Sequence, residues 1–252
     1  MSKKVLMPLP RQDFDPTESA VPWKVLKHAD IEVVFATPNT QKASCDPLML
    51  SGKGLGLFAA TLIANKEAQQ AYREMETSPE FQNPISWESA SRQTFDGLIL
   101  PGGHAQGMKE YLESELLQNI ARDFFKTGKP VGAICHGVIV LARTQDENHQ
   151  PLLKNRKTTA LLASQELLAW NLTRMWQGSY YRTYPQTVES EVTAKLADKK
   201  SFLKGPLPLV RDSANNLNPG FVVQDGNYLS ARWPGDAHKF ATCFSKMLLS
   251  SR

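Results

Sequence analysis

Apolar and polar positions follow two rhythms along this chain, and these define most of its elements. Lys4-Val5-Leu6-Met7-Pro8-Leu9 and Glu32-Val33-Val34-Phe35-Ala36-Thr37 are short apolar runs, the pattern of strands buried on both faces. Between them Ala20 to His28 has helical spacing, with Val21, Val25 and His28 on one side. Thr17 is placed to cap this helix, and Pro22 lies in its early turns. Asp96 to Leu100 and Lys129 to Ile134 predict two further buried strands, with an amphipathic helix from Lys109 to Lys126 between them. Apolar strands alternating with helices predict an α/β domain whose parallel sheet is covered on both faces. Phe221 to Gln224 and Asn227 to Ser230 flank Asp225-Gly226, a hairpin signal. A last helix is predicted over roughly Asp236 to Leu249.

Residues 46–90 break this rhythm. Gly52, Gly54 and Gly56 are followed by a polar helical stretch from Glu67 to Glu76. The segment reads as an inserted lobe at about 46–90 on a single domain spanning 1–252. Its Gly-x-Gly pattern does not follow a strand, so a connector fits it better than a phosphate loop.

Composition narrows the function classes. The chain has 252 residues, 41% hydrophobic and 21% charged, which suits a well-buried globular core. The net charge is +4, from 29 basic and 25 acidic residues. An excess so small and so dispersed predicts no nucleic-acid or membrane surface. The first apolar run stops at Pro8, short of a signal-peptide core, and Val131 to Ala142 is too short to span a bilayer. The cysteines are Cys45, Cys135 and Cys243. An odd count without metal-ligand spacing predicts no disulfide framework, no metal site and a reduced cytoplasmic setting.

The candidate chemistry centres on Val131-Gly132-Ala133-Ile134-Cys135-His136-Gly137. A strand runs directly into a helix with glycines on both sides, the arrangement of a nucleophile elbow. The elbow predicts that Cys135 stands exposed at the carboxyl edge of the sheet. The amides of the next helix would stabilise its thiolate and lower its pKa. Leu100-Pro101-Gly102-Gly103-His104 is a second strand end. There Gly103 N–H and His136 N–H are candidates for an oxyanion hole, and His104 either contacts substrate or caps the next helix. Glu18 follows the first strand and is placed to reach the same edge, where it would share one proton with Cys135. Arg232 and Trp233, after the last strand, are candidates to line the crevice, while Cys45 and Cys243 read as structural. Tyr180, Tyr181, Arg182, Tyr184 and Pro185 form an aromatic cluster that reads as exposed, suited to a peptide or to dimerisation.

Together these segments resemble the ThiJ/PfpI superfamily over almost the whole chain. The resemblance is carried by Glu18 in Pro-Thr-Glu-Ser-Ala-Val-Pro-Trp, by Leu-Pro-Gly-Gly-His at 100–104 and by Ala-Ile-Cys-His-Gly at 133–137. The tail Ser230-Ala231-Arg232-Trp233-Pro234-Gly235-Asp236-Ala237 resembles the larger glyoxalase-III-like and chaperone-like branch. The resemblance implies a class I glutamine amidotransferase-like fold, a flavodoxin-like parallel sheet between helices, and a homodimer. It also implies Cys135 as nucleophile, Glu18 as its hydrogen-bond partner, His136 as general base and Gly103 as oxyanion donor. Larger members carry an acid some thirty residues after the cysteine. Here Glu166 is the nearest, and it reads equally as a first-turn acid behind a Ser164 cap. The His-x-Glu of true amidotransferases is missing, since Lys239-Phe240 follow His238. The implied function is a cofactor-independent, cysteine-dependent enzyme acting on α-oxoaldehydes or their protein adducts. The alternatives are a cysteine peptidase or amidase, and a redox-sensing stress chaperone.

Overall fold

The computed structural model describes residues 2–53, 55 and 63–251. Gly54 and Gly56 lie outside the described residues, and the Gly-x-Gly reading with them. The central sheet has seven strands. These are β1 (Lys4–Pro8), β3 (Glu32–Thr37), β5 (Ile85–Ser86), β6 (Gly97–Leu100), β7 (Val131–Ile134), β8 (Val222–Asp225) and β9 (Tyr228–Ala231). Their order is β5-β3-β1-β6-β7-β9-β8, and every neighbouring pair is parallel except β8 with β9. A separate two-stranded sheet pairs β2 (Gln12–Phe14) with β4 (Ser44–Cys45). The fold is thus a mostly parallel α/β sheet flanked by helices, as the apolar runs predict.

The helices cover the sheet in two groups. Pro16–His28 packs against Lys66–Glu76 and Ala237–Ser250. In a second group, Glu115–Lys126 packs against Trp87–Ser91 and Gly137–Arg143, and the latter against Val188–Ala194. The last helix buries Ala237, Phe240, Ala241, Phe244 and Leu248, the 3.6-residue stripe that drives its docking. Segment 46–90 adds the edge strand β5 and buries Ala68, Ala71, Tyr72 and Met75 in the main core.

Local chemistry shifts three boundaries. The first helix starts at Pro16, and its cap is Asp15, not Thr17. Asp15 accepts from Thr17 N at 2.7 Å and from Glu18 N at 3.0 Å, and Pro16 needs no N–H partner at the first helical position. Lys109–Lys126 is two helices, because Ser114 stops the chain and accepts from Leu117 N to start the second. In the hairpin Asp225 pairs with Tyr228, so the turn is Gly226-Asn227, one residue later than expected, with Gly226 at φ 59°.

The sheet order places the chemistry. From β1 the chain moves outward through β3 to β5, then returns to β6 on the other side of β1. The carboxyl ends of β1 and β6 therefore flank a topological switch point, where open α/β sheets form ligand crevices. Glu18 follows β1, Gly102 follows β6 and Cys135 follows β7.

Candidate active site at the end of strand β7

Cys135 is the single residue between β7 and its turn into the Gly137–Arg143 helix that has a left-handed backbone, with φ 56°. A side chain rarely accepts that conformation, and it is the backbone geometry of a nucleophile elbow. Gly137 lets the turn close: a Cβ there would lie 2.1 Å from Leu100 O. Gly102 is equally constrained. A Cβ on it would lie 2.7 Å from His136 N, 2.8 Å from Glu18 Oε2 and 3.0 Å from Cys135 Cβ. The glycine thus lets β6, Glu18 and the elbow meet.

The elbow is not exposed, contrary to the sequence reading. Cys135 is 0% and His136 1% accessible, because the segments around 104 and 181–183 cover the turn. Burial, with Glu18 and Asp15 nearby, raises the Cys135 pKa well above its usual range, although His136 N–H donates to the sulfur and favours the thiolate. The low-pKa thiolate expected from the helix amides is therefore overturned: desolvation outweighs the amides. Glu18 is also raised, first by burial and then by Asp15. Its Oε2 accepts from Gly102 N at 2.9 Å, while Oε1 is buried without a partner. Cys135 and Glu18 rest as two buried acids that resist ionising together.

His136 Nδ1 lies 3.5 Å from Cys135 Sγ, and its Nε2 lies 3.4 Å from Thr183 Oγ1. Thr183 donates its own proton to His104 O at 2.5 Å. Its oxygen can then only accept from Nε2–H, which leaves the Nδ1 lone pair facing the thiol. Burial holds the His136 pKa well below its ordinary value, with His104 and Arg143 adding to the effect, so the ring is a neutral base.

Glu166, the candidate third member, does not make that contact. Its Oε2 accepts from Val188 N at 2.9 Å, and its Oε1 faces Arg182 at 3.7 Å. It ties down the segment that carries Thr183. Ser164 is no cap either: the Ala163–Gln177 helix has no side-chain cap, and Ala163 N donates to Glu189. Thr183 was missed because it lies in an unpatterned loop and meets His136 only through the tertiary fold.

Arg232 is not free to bind substrate. It is fully buried, holds Asp236 through Nε and Nη2 at 2.9 Å each, and donates to Lys204 O and Pro206 O. Gly103 sits tightly against Asp13 O and Met108. Tyr181 is 1% accessible and packs edge-on against His104, so the aromatic cluster is not a wholly exposed one. His104 meets the His136 ring at 5.0 Å between centroids, and burial lowers its pKa to about 4. Ligand-type atoms of His104, Cys135 and His136 lie within 4.8 Å of one another. Residue spacing along the chain carries no sign of this cluster, whose donors are of the type that soft metal ions favour. Among the other cysteines, burial pushes Cys45 up to about 12. Among the described residues, no helix is long and apolar enough to cross a membrane.

Comparison with known proteins follows the same outline. The chain is 32% identical over 133 residues to protein DJ-1 homolog D of Arabidopsis thaliana, covering 52% of this chain and 32% of that protein. It is 26% identical over 168 residues to deglycase PfpI of Pyrococcus furiosus, covering 65% of this chain and 69% of the relative. The chain thus spans about a third of the Arabidopsis protein's length. Among solved structures, glyoxalase III of Candida albicans superposes with a TM-score of 0.67 at 19% identity, covering 97% of each chain. The rapid encystment protein of Francisella tularensis superposes with a TM-score of 0.72 at 16% identity, covering 98% of this chain and 99% of its own. A ThiJ/PfpI family-like model matches residues 9–206, and with the elbow, the buried Glu18 and the sheet order in place, the chain belongs to the ThiJ/PfpI family.

Proposed function

We propose that the protein is a cysteine-dependent enzyme that converts reactive α-oxoaldehydes to 2-hydroxy acids, its chemistry supplied by Cys135, His136 and Glu18. The observation that carries the reading is the pairing of a strained Cys135 with a neutral His136 whose Nδ1 faces the sulfur at 3.5 Å. The deglycase and glyoxalase III names of the relatives support the same class of substrate.

In this reading the resting thiol gives its proton to His136 Nδ1 as the sulfur adds to the aldehyde carbon. The S–C bond forms, the carbonyl π bond breaks, and the proton passes to the new alkoxide, giving a hemithioacetal. The base then removes the hydrogen on that carbon, and its electron pair forms an enediol as the second carbonyl oxygen is protonated. Return of a proton to the second carbon gives a thioester. Water cleaves it to the 2-hydroxy acid and the free thiol, so the overall change is redox-neutral. We assign protonated Glu18 to stabilise the sulfur when it leaves, and the Gly103 and His136 amides to hold the oxygen that becomes negative.

A methylglyoxal assay for lactate in plain buffer tests this. Wild-type protein should form lactate and Cys135→Ala should form none. His136→Ala should lose about 10²–10⁴-fold, the usual worth of a positioned base. Lactate formation that survives Cys135→Ala overturns the mechanism.

A further inference from the structure

A cavity of about 550 Å³ is lined by His104 but by neither Cys135 nor His136. Its size suits a ligand much larger than methylglyoxal. Leu161, Leu172, Tyr181, Leu209 and Trp233 form much of its wall, and Arg211 adds a cation. The mouth is apolar as well, with Leu168 58% and Leu209 80% accessible. Three of the lining residues keep buried polar atoms without partners: His104 Nδ1, Gln165 Oε1 and Trp233 Nε1. These atoms have almost no accessible surface, so the surface that the cavity presents is mainly apolar.

His104 links this cavity to the reacting pair. Its ring lines the cavity and packs at 5.0 Å on the His136 ring, while the sulfur behind has no accessible surface. Because His104 Nδ1 has no partner, turning the ring aside breaks no hydrogen bond at that atom. A substrate carbonyl reaching Cys135 past His104 would leave its substituent in the cavity.

We propose that this cavity binds the substituent of the substrate, and that the preferred substrates are α-oxoaldehydes bearing a bulky branched or aryl group. The inference rests on the aldehyde reading of the same site. Its mainly apolar walls gain from each buried carbon.

The test compares tert-butylglyoxal with methylglyoxal and adds a binding arm independent of turnover. Wild-type kcat/KM should favour tert-butylglyoxal by at least about tenfold, the worth of a well-filled apolar pocket. Ala169→Phe, which fills the cavity from the Ala163–Gln177 helix, should lower kcat/KM for tert-butylglyoxal far more than for methylglyoxal and so remove that preference. Leu209→Asp, on an exposed side chain at the mouth, should act likewise without threatening the fold. Equal rates for the two aldehydes, or a preference that survives both variants, overturns the proposal. In Cys135→Ser protein, saturation-transfer NMR should detect binding of the unreactive ketone 3,3-dimethyl-2-butanone, and Ala169→Phe in that background should abolish it. If neither aldehyde turns over yet the ketone binds and Ala169→Phe abolishes it, the cavity stands and the aldehyde chemistry falls. Absence of ketone binding sinks the cavity as a ligand site.

Discussion

Thr183 Oγ1 lies 3.4 Å from His136 Nε2 while its proton is committed to the His104 carbonyl at 2.5 Å. A hydroxyl in that position can only accept. It fixes the histidine tautomer in the way a carboxylate does in acid-bearing triads, without placing a negative charge beside the buried Cys135 and Glu18.

Thr183→Val keeps the shape and removes the acceptor. Lactate formation should fall roughly tenfold to a hundredfold, part of the contribution of a positioned base, and Thr183→Ser should restore it. Because a packing defect could mimic the loss, nitrogen NMR of His136 provides the separate readout. Wild type should show Nε2–H alone, and the valine variant a mixture of tautomers. An unchanged tautomer would remove Thr183 from the role.

Glu18 and Cys135 meet across Gly102, and Glu18 raises the Cys135 pKa on top of burial, while the thiol's hydrogen bond lowers that of Glu18 against burial and Asp15. Glu18→Gln removes a carboxyl whose ionisation would oppose the thiolate and leaves an amide that can donate to sulfur. The Cys135 pKa should therefore fall, and alkylation of Cys135 at neutral pH should quicken relative to wild type. Mass spectrometry of iodoacetamide-treated protein across pH would report it as a change relative to wild type, with partly exposed Cys243 as the internal reference. A Cys135 titration that moves upward in Glu18→Gln would mean that the carboxyl proton, not its charge, controls the thiol.

The parts of this architecture that local chemistry determines could be read from the chain alone. Val33 and Phe35, Leu98 and Leu100, and Val131 to Ile134 are continuous apolar runs, and each is a buried strand. The elbow at Cys135 was legible because only small flanking residues permit it. Asp15 and Thr17 are both capping types, and what separates them is Pro16, whose ring favours the first helical position. The apolar period runs unbroken across Ser114, so the break there is invisible without its cap geometry. Pattern and structure differ most in the exposure of Cys135. A nucleophile elbow predicts a presented side chain, but the cover over Cys135 comes from residues 104 and 181–183, which carry no periodic signal. Thr183 and Glu166 exchange roles for the same reason: proximity to His136 is set by a loop crossing 47 residues away in sequence.

Gly137→Ala tests the elbow's close packing separately from its chemistry. The added Cβ would meet a carbonyl oxygen of the backbone at 2.1 Å, and backbone cannot swing aside as a side chain can. The variant should lose about 3 kcal/mol, the upper range for overpacking, or roughly 6–12 °C in Tm for a chain of this size. Thermal unfolding followed by circular dichroism measures it. A loss below about 1 kcal/mol would show that the Leu100 turn yields freely, and would weaken the case for a rigid elbow.

Glu166 allows a pH test with a defined sign. Burial raises its pKa from 4.5 to about 7, with the Val188 N–H and Arg182 pulling the other way. Between those values the folded protein holds a proton that the unfolded chain has lost. Stability from this group is thus full below pH 4.5 and declines as pH rises through 7. A shift of that size corresponds to at most about 3 kcal/mol. Glu166→Gln cannot titrate and keeps an oxygen for Val188 N–H. His104, Asp15 and Asp212 titrate across the same range, but they do so in both proteins and cancel in the difference. Urea unfolding at intervals from pH 4.5 to 8 should therefore show the wild type losing stability relative to Glu166→Gln as pH rises. If the ion pair with Arg182 dominated instead, the carboxylate would be held ionised and the slope would have the opposite sign. A rising wild-type advantage would therefore assign Glu166 to charge pairing rather than to a buried, protonated anchor for the Thr183 segment.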